Sequence, residues 1–197
     1  MKVIKQNASA VAKAAALLKK GAVIICPTDT VYGFLADASN KKAVEKIYKI
    51  KKRPKSKPLS VFVANLKMAN EIAVTDEKQA KIFVKFWPGK VTVILKRKVR
   101  PTDRSVGLKL YGLKKDSIAI RIPKHVFLQK LLKKVNRPLV QISVNISAQE
   151  PLNSLEQIIT TFGGNHLIGL IIDGGSAKNA KPSKIIDLSR EKIVRLR

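Results

Sequence analysis

The stretch 22–33, AVIICPTDTVYG, joins a short apolar run to a polar loop, and it decides the fold class. Its first five residues are mostly apolar and β-branched and are closed by Pro27, which predicts a buried strand over 22–26. Because open α/β sheets bind ligands at strand ends, Asp29, Thr30 and their neighbours lie where a polar small molecule can bind. Taken alone, the segment favours a turn in which Asp29 and Thr30 bond only local backbone.

Helical and strand patterns alternate through the rest of the chain. Helices are predicted over 9–20, 40–51, from 75–77 to a stop at 88–89, over 124–135 and over 154–162. Further strands are predicted over 59–64, 91–95, 117–122, 139–143, 167–172, 184–188 and 192–196. The stretch 96–115 has no clear period, and we expect it to be an irregular, mobile excursion. This order predicts one α/β domain over 1–197, with a twisted mixed β-sheet flanked by helices.

The composition excludes several classes of protein. One cysteine and two histidines leave no internal disulfide and no zinc-ligand set. No apolar run is long enough to span a membrane, and the N-terminus has no signal-peptide core, so we expect a cytoplasmic protein without membrane contact. The net charge of +27 attracts polyanions without naming one. A generic lysine-rich surface and an RNA-binding face both fit this charge.

A dense basic run follows the second predicted helix. Its cations are Lys51, Arg53, Lys55 and Lys57, and two prolines stiffen it. Exposed cations at a helix end ordinarily complement the helix dipole and contribute little to stability. A stiffened run, however, can present several cations to one triphosphate. No glycine-rich phosphate loop of the G-x-x-x-x-G-K-[ST] type occurs, so side chains would have to neutralise a bound nucleotide.

Taken together, these segments resemble the YrdC-like family of threonylcarbamoyl-adenylate synthases in its short, single-domain bacterial form. The matching motifs, in chain order, are P-T-D-T-V-Y-G at 27–33, K-x-R-P at 51–54 with Lys57, F-W-P-G at 86–89, R-x-P at 121–123, S-x-N at 143–145, D-G-G at 173–175 and P-S at 182–183. The resemblance covers residues 22–195, almost the whole chain.

The resemblance implies a mixed-sheet fold with a positively charged cavity on one face. It also implies synthesis of threonylcarbamoyl-AMP from L-threonine, bicarbonate and ATP, with Mg²⁺ on the phosphates, for tRNA modification. The product would pass to threonylcarbamoyl-transferase proteins, and direct contact with tRNA is possible. The implied threonine-binding residues are Thr30, Arg121 and Ser183. The implied ATP-side residues are Lys51, Arg53, Lys57, Ser117, Ser143, Asn145 and Arg195, of which Lys51 and Arg53 are the catalytic candidates.

The chain departs from the family pattern at three places. The usual S-A-N-x-S-G is SVNISA over 143–148, so Ala148 replaces a loop glycine. Phe62 stands where longer relatives carry a histidine to threonine, and the residue after Arg195 is also changed. Two rival functions remain: a non-catalytic RNA-binding protein, and a carbamoyl-transfer module like the related domain of hydrogenase maturation. The second rival lacks support, because this chain has neither the length nor the cysteines of that protein.

Overall fold

The computed structural model describes residues 2–98, 109–176 and 180–189, together with the backbone of residues 194 and 195. The strands are β1 (Lys2–Lys5), β2 (Val23–Cys26), β3 (Gly33–Asp37), β4 (Ser60–Phe62), β5 (Val91–Lys96), β6 (Ser117–Arg121), β7 (Leu139–Ser143), β8 (Ile168–Asp173), β9 (Lys184–Asp187) and β10 (Val194–Arg195). The helices are α1 (Ala8–Lys19), α2 (Lys41–Lys51), α3 (Leu66–Ile72), α4 (Glu77–Phe86), α5 (Val126–Val135) and α6 (Leu155–Phe162).

All ten strands form one mixed sheet in the order β1-β8-β2-β3-β7-β4-β6-β5-β9-β10. Four neighbouring pairs, β1·β8, β2·β8, β4·β6 and β5·β9, are parallel, and the others are antiparallel. The interior strand β2, which lies between β8 and β3, is buried along its whole length, as its unbroken apolar sequence predicts. Helices α1 and α5 pack against each other, and α1 also contacts β2, β3 and β8. The α/β class and the mixed sheet flanked by helices are therefore confirmed.

The helix boundaries follow from capping residues that the sequence shows. Asn40 caps α2 by accepting a hydrogen bond from the backbone N–H of Ala43, 3.0 Å away. Two capping boxes, Asp76 with Gln79 and Ser154 with Gln157, start α4 and α6. These helix starts were predicted, because a cap depends only on residues close together in the chain.

Three elements were missed: β1, β3 and α3. The edge strand β1 is mostly exposed and shows no apolar alternation, and β3 contains a glycine and an aspartate, which are rare in strands. A usable indication of α3 was Asn65, whose side chain caps the helix at Met68 N. Because β3 pairs antiparallel with β2, residues 27–32 form a short connection between neighbouring strands.

The predicted excursion over 96–115 lies partly outside the described residues. Lys96 belongs to β5, and residues 109–115 have no regular structure, as expected. Their backbone is nevertheless held, because the Arg97 guanidinium donates to the carbonyls of Lys114 and Leu110. The mobility of this stretch stays a prediction. Of the strand predicted over 192–196, only β10 falls within the described residues.

Candidate active site

The floor of the main cavity is a row of residues from four adjacent strands. Gln141 of β7 is paired with Ser60 of β4, Ser60 with Ala119 of β6, and Ala119 with Ile94 of β5. All four side chains line a cavity of about 530 Å³ on this face of the sheet. That volume is in the usual range for sites that bind small molecules.

The cavity gathers residues that are far apart in the sequence. From the predicted site set, those that line it are Thr30, Lys51, Arg53, Arg121, Ser143, Asn145 and Ser183. Three of these are cations, and the carboxylate on the described wall is Glu150. The structure thus brings seven of the ten predicted residues to one wall, although it does not test their roles.

Arg121 is the most constrained cation of the site. Its side chain is 1% exposed, and its terminal nitrogens donate to the Thr30 hydroxyl at 3.1 and 3.2 Å and to the Asp29 carboxylate. Its Nε–H is buried and has no hydrogen-bond partner among the described residues. A buried donor without an acceptor is costly. Arg121 also lines the cavity, so its fixed guanidinium places a cation at the cavity wall.

Asp29 determines where that guanidinium lies. Its other carboxylate oxygen accepts from the backbone N–H of Lys124 at 2.9 Å, so the side chain connects Arg121 to the start of α5. Burial lowers the pKa of Arg121, and the nearby Asp29 carboxylate opposes this change. The turn interpretation of Asp29 and Thr30 is wrong, because both reach Arg121 about ninety positions away. Sequence reasoning did not assign Asp29 to the site.

Phe62 lies beneath the same guanidinium. The Arg121 Cζ is 5.1 Å from the centre of the Phe62 ring, a distance at which the ring face attracts a cation. Phe62 thus packs against the Arg121 guanidinium.

Lys51 corrects an expectation about the basic run. It is 2% exposed, and its Nζ donates to the carbonyls of Ser143 (2.6 Å) and Asn145 (2.8 Å) and to Asn145 Oδ1 (2.5 Å). Three acceptors match the three protons of an ammonium group. Burial, and secondarily the charge of Arg53, lowers the pKa of Lys51 to about 7. Lys51 is therefore a buried connector between α2 and the end of β7, not an exposed helix-end cation.

The loop after β7 is organised around Asn145. The Ser143 hydroxyl donates to Asn145 Oδ1 at 2.8 Å, and Asn145 Nδ2 donates to the Gln149 carbonyl at 2.5 Å. The backbone N–H of Ser147 donates to the Lys51 carbonyl at 2.9 Å, which ties the loop to α2 a second time. Ser143 and Asn145 thus belong to one hydrogen-bonded loop.

The other predicted ATP-side residues lie in different surroundings. Arg53 is half-buried and bonds the carbonyls of Lys57 and Pro58 within its own loop. Lys57 is exposed and is not among the residues that line the main cavity. Ser117 lines an adjoining cavity of about 500 Å³, and the side chain of Arg195 lies outside the described residues.

Ala148, which replaces the family glycine, has φ of +71°. This left-handed conformation costs an L-residue about 1–2 kcal/mol, whereas glycine adopts it freely. We expect Ala148→Gly to raise the free energy of unfolding by roughly 0.5–1 kcal/mol. The rest of the relieved backbone strain is offset, because glycine also gives the unfolded chain more conformational freedom. Urea denaturation measures this change. Ala22→Gly, at a half-buried residue without positive φ just before β2, is the matched control and should be neutral or destabilising.

Cysteine and histidine chemistry has little place in this site. Cys26 is fully buried, and burial raises the pKa of its thiol well above the ordinary value, so it is a poor nucleophile. His125 is half-buried and caps α5, and His166 is exposed. Among the described residues, no three His, Cys, Asp or Glu side chains are grouped to hold a metal ion. No helix in the described part is both long and apolar enough to cross a bilayer.

These features define a class of protein: an α/β domain whose mixed sheet carries a cavity of small-molecule size, lined in part by basic and hydroxyl side chains. The comparison with protein families gives the particular one. The model of the Sua5/YciO/YrdC family, described as telomere recombination, matches residues 16–197, and the chain belongs to this family.

Relatives and solved structures agree with this assignment. A threonylcarbamoyl-AMP synthase of Pseudoalteromonas translucida is 32% identical over 95% of this chain and 97% of its own length. That of Pyrococcus abyssi is 34% identical over 93% of this chain, which spans 52% of the relative. The structure of P. abyssi Sua5 complexed with L-threonine superimposes with a TM-score of 0.84 at 30% identity, covering 100% of this chain and 56% of that one.

Proposed function

We propose that this protein is an L-threonylcarbamoyladenylate synthase, which forms threonylcarbamoyl-AMP and pyrophosphate from L-threonine, bicarbonate and ATP. Family membership and relatives named for this activity support the proposal. One relative matches along nearly its whole length, whereas the P. abyssi relative is about twice as long as this chain.

The observation that carries the proposal is the fixed guanidinium of Arg121 on the cavity wall. Charge-assisted hydrogen bonds from a guanidinium to a carboxylate are the strong ones, so this side chain suits the carboxylate of an amino acid. Thr30 and Ser183 line the same cavity and supply hydroxyls for the rest of the amino acid. We therefore assign threonine binding to Arg121, Thr30 and Ser183.

The opposite part of the cavity suits the triphosphate of ATP. Arg53 supplies charge there, and Lys51 positions the loop that carries Ser143 and Asn145. We assign Ser117 to the nucleotide through the adjoining cavity, which shares lining residues with the main one. Lys57 and Arg195 stay predicted ATP-side residues, Lys57 because it lies in the same loop as Arg53.

The proposed reaction has two steps. The threonine amine attacks bicarbonate to give a carbamate and water, and a carbamate oxygen then attacks the α-phosphorus of ATP and expels pyrophosphate. Because the reactants are anions that repel one another, fixed cations and correct positioning supply most of the catalysis. No covalent nucleophile is needed, which agrees with the inert thiol of Cys26.

Mg²⁺ is proposed as the companion of ATP, where it would neutralise phosphate charge. The donor set fits this role, since Mg²⁺ keeps several waters and needs only one or two carboxylates besides phosphate oxygens. Glu150, on the cavity wall, would supply such a carboxylate.

The adenylate would serve modification of a tRNA adenosine in the cytoplasm, through transfer by threonylcarbamoyl-transferase proteins. Direct tRNA contact is compatible with the net charge of +27. The non-catalytic RNA-binding alternative is less favoured, because the matched residues converge on one small-molecule cavity instead of a basic stripe with aromatics.

Pyrophosphate release from ATP is expected to depend on both L-threonine and bicarbonate, because the carbamate needs both. The measurement is a coupled pyrophosphate assay in carbon dioxide-depleted buffer, with each reactant omitted in turn and the adenylate detected by mass spectrometry. Omission of either should bring release to background. ATP turnover indifferent to threonine would sink the synthase proposal, and tRNA binding without turnover would favour the RNA-binding alternative.

A further inference from the structure

Two buried hydroxyls meet on the cavity wall. Thr92 of β5 is 2% exposed and Ser183, just before β9, is 7% exposed, and their hydroxyl oxygens are 2.9 Å apart. Both residues line the main cavity. The family motifs single out Ser183, whereas neither the sequence nor the comparisons assign a role to Thr92.

Strand pairing places Thr92 beside Arg121. Val93 of β5 is paired with Ile120 of β6, and Ile94 with Ala119. Continuing this pairing by one residue brings Thr92 opposite Arg121. Because side chains alternate between the two faces of a sheet, Thr92 and Arg121 lie on the same face as Ile94 and Ala119, which is the cavity face. The Thr92 hydroxyl therefore lies next to the guanidinium assigned to the substrate carboxylate.

We infer that Thr92, together with Ser183, recognises the β-hydroxyl of the amino acid and is a specificity-determining residue. The inference rests on the proposed function. In threonine the hydroxyl is on the β-carbon, which is only two bonds from the carboxylate carbon. A group that contacts the hydroxyl therefore has to lie close to Arg121. A hydroxyl has one donor and two acceptor positions, and the contact with Ser183 leaves Thr92 able to bond a further partner.

The physical consequence is discrimination against amino acids without the hydroxyl. A buried site that hydrogen-bonds a substrate hydroxyl leaves its own polar groups unpaired when the analogue lacks that group. L-2-Aminobutyrate has the carbon skeleton of threonine without the oxygen and is therefore the informative competitor. Valine at position 92 would keep the branched shape and remove the wall hydroxyl.

The test compares kcat/KM for L-threonine and L-2-aminobutyrate, with ATP and bicarbonate saturating, in the wild type and in Thr92→Val. We expect the substitution to lower the threonine value roughly tenfold or more while changing the 2-aminobutyrate value little, so that the preference shrinks. Thr92→Ser should retain the preference. Thr161→Val, an exposed threonine on α6, is the matched control and should change neither value.

An equal loss for both substrates, or no loss, would overturn the role of Thr92 while leaving the synthase proposal intact. Failure of the wild type to use threonine would instead overturn the proposed function. Thr92→Ala also lacks the hydroxyl, and it decides the question in the same assay if the valine variant does not fold.

Discussion

Arg121→Lys is expected to lower kcat/KM for L-threonine by about 100-fold or more, because the planar fork that meets the carboxylate is lost while the charge is retained. Lysine has a single ammonium group and cannot reproduce the bonds of the guanidinium to Asp29 and Thr30 while also meeting a carboxylate. The effect should fall mainly on the KM for threonine. Steady-state kinetics with each substrate varied in turn measures the split.

The matched control is Arg137→Lys. Arg137 also pairs with a buried aspartate, Asp37, at 2.8 Å, but it is not among the residues that line the cavity. The control should leave the KM for threonine unchanged. A threonine KM in Arg121→Lys that stays within threefold of the wild-type value would contradict the assignment of the carboxylate site. For comparison, a tenfold change in affinity corresponds to about 1.4 kcal/mol of binding free energy.

Lys51→Met and Arg53→Ala are expected to separate stability from catalysis. Removing the Lys51 ammonium leaves the Ser143 and Asn145 acceptors unsatisfied, and we expect a loss of about 2–5 kcal/mol in the free energy of unfolding. Arg53 is half-buried and bonds only its own loop, so Arg53→Ala should cost about 1 kcal/mol or less. Arg53→Ala should nevertheless lose most activity, because it removes charge from the phosphate side.

Urea denaturation and turnover are measured on the same preparations. Lys46→Met is the control on the same helix, since Lys46 Nζ makes a single bond, to the Gly21 carbonyl at 2.9 Å. It should lose less stability than Lys51→Met and keep its activity. Full activity in Arg53→Ala, or a Lys51→Met protein as stable as the Lys46→Met control, would contradict the respective assignment.

The pKa of Lys51 adds a dependence on pH to this comparison. Its value of about 7 in the folded protein lies below the ordinary lysine value of about 10.4. Between these values the unfolded chain holds a proton that the folded chain lacks, so the contribution of Lys51 to stability rises with pH. The stability lost in Lys51→Met should therefore grow from about pH 6.5 to about pH 9.5. A loss that is constant with pH would contradict the lowered pKa.

Local structure was largely determined by the sequence, because its causes lie within a few residues. The caps at Asn40, Asp76 and Ser154 place three helix starts, and the apolar run before Pro27 places β2. The ordered motifs likewise predicted the family and seven of the residues that line the cavity. Elements without such local causes, notably the mostly exposed β1, were missed.

Only the tertiary structure decided how the site is held. Lys51 belongs to a basic run that looks exposed in the sequence, yet it is buried because β7 brings the Ser143 and Asn145 carbonyls to it. Arg121 meets Asp29, and Thr92 meets Ser183, across about ninety residues in each case. These contacts depend on the order of strands in the sheet. That order is set by the burial of many side chains together, and no short stretch of sequence contains it.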